Sequence, residues 1–103
     1  MNTVDKNKIN KLIKEGIKVF PFTSEDDETL YLREPTRTEY GRFIQKIESD
    51  RVQAVNFLVT QCYVAGDKKL LEDNGFFNGM QESIGQIIPY KKVSLGKPMT
   101  TLK

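Results

Sequence analysis

A chain of 103 residues has room for one domain and one core. Its 16 basic and 14 acidic residues leave a formal charge of +2, too little to imply a nucleic-acid surface by itself. Histidine is absent, which removes the side chain best matched to proton transfer near neutral pH and the commonest metal ligand; one cysteine excludes an internal disulfide.

The start carries no hydrophobic signal core, and no apolar run approaches the ~20 residues of a membrane span. With the lone thiol this points to a reducing, intracellular compartment. From Asp5 to about Ile17 the pattern is helical: Ile9, Leu12, Ile13 and Ile17 share one face, and Lys8, Lys11, Lys14 and Lys18 the other. Such a helix suits a membrane surface or a partner. A short helix docked on its own domain explains it better, because a helix this short is marginal alone and its apolar face lacks an interfacial Trp or Phe.

Lys18–Phe22 and Thr29–Arg33 read as two strands joined by a polar loop that holds the acidic block Glu25, Asp26, Asp27 and Glu28. Pro21 cannot donate to a ladder, so its strand belongs at a sheet edge. The acidic loop lacks the alternating oxygen ligands and central glycine of a calcium-binding loop and reads as a solvated hairpin tip. Pro35 then disfavours helix at Glu34. Thr36 and Glu39 have the spacing of a capping box, opening a helix with Tyr40, Phe43, Ile44 and Ile47 on one face, which stops near Glu48.

Ser49 or Asp50 caps the next helix, with Gln53 well placed for Asp50. Val52, Val55, Leu58, Val59 and Cys62 form its buried face, so Cys62 reads as a small core residue rather than a nucleophile. Phe57 lies off that face, either covering a second core contact such as the hairpin or standing exposed as an anchor for a partner. Gly66-Asp67 is expected to end this helix. A helical turn around Leu70 and Leu71 and a turn at Asn74-Gly75 follow. A last helix is predicted from about Phe76 to Ile88, with Phe77, Met80, Ile84, Ile87 and Ile88 as its apolar stripe and Pro89 as its stop. Beyond Tyr90 lysine, glycine, proline and threonine mix without period, as in a flexible tail.

The expected fold is therefore α+β and mostly α: a short antiparallel hairpin packed on a small three-to-four-helix bundle. Residues 1–17 form a basic amphipathic N-terminal helix, 18–89 a single core domain and 90–103 a basic tail. No catalytic, metal or cofactor constellation is visible. There is no metal-ligand spacing, no Gly-rich phosphate loop, and no interleaving of basic and aromatic residues of the kind single-strand binding requires. No enzyme, cofactor, nucleic acid or membrane is expected.

Between Leu30 and about Pro89 the chain resembles the tail assembly chaperones of tailed bacteriophages. The resemblance lies in the Leu32-Arg33, Pro35-Thr36 entry from a hairpin into an amphipathic helix, the second helix Asp50–Val59 continuing into Gln61–Asp67, and Ser83-Ile84-Gly85 in the last helix. The lysine-rich N-terminal helix has no counterpart in that pattern. The resemblance implies a non-enzymatic protein of the bacterial host cytoplasm. It would bind the tape-measure protein before the tail tube assembles, keep its apolar helices soluble and help recruit tube subunits; a homo-oligomer is a further expected partner state. Many families make a longer frameshifted product, and such an extension would emerge from the basic segment after Tyr90. A holdase needs accessible apolar surface; Phe57 and Tyr63 on the second helix and Phe76 beside the turn are the candidate partner-binding residues. The competing readings are a structural virion component, such as a head–tail connector or minor tail subunit, and, behind it, a basic nucleic-acid or membrane-surface module.

Overall fold

The computed structural model describes residues 2–102, in which four α-helices and a three-stranded antiparallel sheet alternate with short 3₁₀ turns. The fold is α+β and mostly α, as the patterning predicts. In chain order the elements are α1 (Thr3–Lys14), β1 (Val19–Thr23), β2 (Thr29–Arg33), α2 (Arg37–Ile47), α3 (Arg51–Cys62), β3 (Tyr63–Gly66) and α4 (Asn74–Gln81). One 3₁₀ turn, Lys68–Glu72, precedes α4, and another, Ile84–Ile87, follows it.

Helix α1 begins earlier than its periodicity suggests, because Asn2 caps it by accepting from the Asp5 N–H at 2.8 Å. It also ends earlier: Gly16 takes a φ of +82° and leaves Ile17 outside the helix. It packs against β3 and β1, so the basic helix docks on its own domain. No residue of it is fully buried; Ile9 and Leu12 are half-buried and Ile13 is exposed.

Strands β1 and β2 form the expected hairpin, with β2 central and β1 at an edge, where Pro21 interrupts no ladder. The register opposes Phe20 to Leu32 and Phe22 to Leu30, which puts these four side chains on one face of the sheet. Leu30 and Leu32 are fully buried there, in the main core cluster, with Phe20 and Phe22 packed at its margin. Phe43 from α2 and Ala54, Val55, Leu58, Val59 and Cys62 from α3 fill the cluster, which Leu70, Phe76, Met80, Ile84 and Ile87 close from the other end.

Three sequence expectations are corrected. The second long helix does not run to Gly66: it ends at Cys62, and Tyr63–Gly66 becomes β3, pairing Leu30 with Gly66, Tyr31 with Ala65 and Leu32 with Tyr63 across an irregular step. The second edge of β2 carries hydrogen-bonding groups that this pairing satisfies, and that outweighs local helical preference. The last helix does not run unbroken to Ile88. It stops at Gln81, and the chain restarts at Ile84 as a 3₁₀ turn that brings Ile84 and Ile87 into the core. Val52, assigned to the buried face of α3, is 58% exposed. Beyond the second turn, residues 89–102 form no helix or strand and are exposed throughout.

Candidate binding groove

The hairpin turn that edges the groove is built by one serine. Ser24 Oγ accepts from the N–H groups of Asp26 and Glu28, each at 3.2 Å, while the Ser24 N–H donates to the Glu28 carbonyl at 2.8 Å. This closes the turn tightly enough that Asp27 adopts a φ of +61° and holds Glu25, Asp26 and Glu28 at the end of β1. Across from it, Asp73 caps α4, its Oδ1 accepting from the Phe76 N–H at 3.1 Å.

Between these two features lies an open groove of about 620 Å³. Phe20, Phe22, Phe76, Met80 and Ile87 supply its apolar lining, and Glu25, Asp26, Glu28 and Asp73 its acidic margin; among the described residues no basic side chain lines it. β1 forms one wall. The cross-strand bonds Glu34 N–H to Lys18 O and Ser24 N–H to Glu28 O fix the alternation of the ladder, so the backbone groups of Val19, Pro21 and Thr23 face outward from the sheet. Pro21 has no N–H to offer there, which blunts the edge against pairing with another strand. The groove is thus suited to capture through side chains rather than through sheet extension.

The three residues singled out from the sequence fall in different places. Phe76 is 9% exposed and belongs to the core cluster, and it also lines the groove. Tyr63 is half-buried in β3, its hydroxyl donating to the Gly66 carbonyl at 2.6 Å and the Lys68 ammonium lying 5.7 Å from its ring centre. Burial and the nearby Asp5 and Asp67 raise its pKa. Phe57 is half-buried outside the core cluster, under the Lys46 ammonium of α2 at 5.7 Å. The contact with Lys46 sets it against α2. The structure does not bring these three into one site. The residues that do converge, Phe20, Phe22, Met80 and Ile87, read in sequence only as strand and helix stripe positions. Their one signal was the acidic hairpin tip beside two aromatics at an edge strand.

Behind the sheet, Arg33 ties three elements together. Its guanidinium donates to both carboxylate oxygens of Glu39 at 2.8 Å, to the Glu34 carbonyl at 3.1 Å and to the Gln61 carbonyl at the end of α3 at 3.0 Å. Glu39 also accepts from the Thr36 N–H at 2.9 Å, completing the capping box. The hydrogen bonds from Arg33 hold the Glu39 carboxyl down to about 2, and Glu39 in turn raises the Arg33 pKa. Burial pushes the Cys62 thiol up to about 11, which leaves it protonated and unreactive at neutral pH. Among the described residues no cluster of His, Cys, Asp and Glu has the arrangement of a metal site, and no helix is long and apolar enough to cross a membrane. No family model matches the chain, and no curated protein or solved structure shows significant similarity to it.

Proposed function

We propose that the chain is a non-catalytic binding protein of the tail assembly chaperone type, acting in the bacterial cytoplasm to hold apolar segments of a tape-measure protein until the tail tube forms. The observation that carries this reading is the groove between β1 and α4, an open apolar surface on a chain whose ion pair and thiol are both committed to structure. The layout supports it too: a hairpin, a Pro-Thr entry and a capping box lead into paired helices, the pattern on which the resemblance rests. A tape-measure helix presents rows of apolar side chains, and a shallow groove of Phe, Met and Ile accommodates them with little demand on register.

Co-expression tests the proposal. The probe is a tape-measure protein, the long coiled-coil-rich partner that the proposal requires. It is expected to become soluble and to co-purify with the wild-type chain, and to do neither with Phe22→Glu, which sets a charge in the groove wall. Equal solubility with and without the chain would remove the chaperone reading. Presence of the chain in purified virions at subunit stoichiometry would replace it with a structural one.

A further inference from the structure

Residues 89–102 leave the second 3₁₀ turn directly beside the groove, since Ile87 lines it, yet they are exposed throughout. Tyr90 and Val93 are each 85% exposed and Leu95 is 100% exposed. The radius of gyration, 17.0 Å, exceeds the ~13 Å of a compact chain of this length, as an extended segment requires. An exposed run holding Val93, Leu95, Met99 and Leu102 is an apolar element without a partner. Its charges are Lys91, Lys92 and Lys97 with no acid among them, whereas the groove margin is acidic, with no base among the described residues.

We propose that the groove binds the basic 90–102 segment of a second copy of the chain. In an extended segment Lys91, Val93 and Leu95 project to one side. Val93 and Leu95 enter between Phe22 and Met80, and the lysines meet Glu25, Asp26, Glu28 and Asp73. Both ends of the exchange belong to the same polypeptide, so each copy has a donor and an acceptor, a heterologous arrangement that closes as a ring or extends as a chain.

A second copy fits better than the segment's own domain. Ile88 is extended, at φ −76° and ψ 123°, and Pro89 keeps it so. The chain therefore leaves the groove wall without reversing. The first glycine available for a reversal is Gly96, beyond Lys91, Lys92, Val93 and Leu95. From Lys91 to Leu102 the segment spans roughly 40 Å when extended, enough to reach a neighbouring domain. Pro21 at the edge blocks incorporation as an extra strand, so recognition rests on side chains and charge, and it weakens with salt.

The experiment uses the full chain and no other protein, so it stands or falls separately from the chaperone reading. Unlabelled and nitrogen-15-labelled chains are mixed and treated with a zero-length carboxyl–amine cross-linker. Mixed-isotope links from Lys91, Lys92 or Lys97 to Glu25, Asp26, Glu28 or Asp73 are expected. The double variant Glu25→Lys/Asp26→Lys is expected to weaken self-association in sedimentation roughly fivefold. The variant Glu15→Lys/Glu48→Lys has the same net charge but is altered away from the groove, and it should associate as the wild type does at the same low salt. Links confined to one isotope would assign the segment to its own domain and overturn the proposal. So would the absence of such links, a monomer at every concentration, or equal weakening in the two variants.

Discussion

Arg33 is the residue at which most of the architecture meets. It lies at the end of β2, and its fork reaches the first turn of α2 and the Gln61 carbonyl in the last turn of α3. A cation at a helix C-terminus and a carboxylate at a helix N-terminus are each favoured by the helix dipole, and here they pair with one another. Lysine keeps the charge but not the planar fork, so Arg33→Lys is expected to lower stability by about 1–2 kcal/mol, read as a shift in urea midpoint. The pair also sets a pH dependence. Glu39 has a folded pKa of about 2, below its ordinary value, so its contribution is complete above the unfolded carboxylate range and is lost as pH falls towards 2. Its side chain is 14% exposed and that of Arg33 23%, so solvent screening reduces the effect to on the order of 1 kcal/mol. Thermal melts of wild type and Glu39→Gln should therefore converge between about pH 4.3 and pH 2, with the wild type the more stable above that window. The capping box was legible in the sequence because Thr36 and Glu39 carry a local spacing rule. The Arg33 bond to Gln61 was not, because it joins residues that only tertiary folding brings together.

At the scale of elements, local signals located α1, the hairpin, α2 and α3, and they failed where packing overruled them. Tyr63, Val64 and Ala65 continue a helical run in sequence, but the free edge of β2 takes them as a strand. Val64 and Ala65 are then buried outside the main cluster, in the strand on which α1 packs. Gly66 is the residue that permits the switch. It has a φ of +106°, and a Cβ there would stand 2.5 Å from the Thr29 carbonyl oxygen and 3.0 Å from the Leu30 Cα, both backbone atoms that cannot yield. Its sequence reading as a helix stop was thus right about a left-handed residue and wrong about what precedes it. Gly66→Ala is expected to cost on the order of 3 kcal/mol and to loosen β3 first, seen as lost hydrogen-exchange protection at the β2–β3 pairing. Gly41 in α2 has open space around it and a helical backbone, so Gly41→Ala should raise stability by about 0.5–1 kcal/mol under the same conditions.

For the molecule as a whole, the main question is which apolar surface belongs to the core and which is left for a partner. Helical stripes place most core residues correctly, but they overfill it: Tyr40 and Ile44 of the α2 stripe are 40% and 41% exposed, and Val52 of α3 more so. A chain this short has one core, and two helices and a hairpin saturate it before every stripe position is covered. The groove was illegible for the same reason. Phe20, Phe22, Met80 and Ile87 obey the patterns of buried residues, and only the gap between β1 and α4 leaves their edges open. Two phenylalanines separate the alternatives. Phe76 lies in the cluster, so Phe76→Ser removes core volume and should cost about 3–5 kcal/mol. Phe57 lies outside it, under the Lys46 ammonium, so Phe57→Ser should cost no more than about 1 kcal/mol. Urea unfolding of both variants gives the comparison directly. If Phe57→Ser unfolds as easily as Phe76→Ser, the α2–α3 face is a second core. If it keeps its midpoint but retains less of a co-expressed tape-measure chain, that face extends the binding surface beyond the groove.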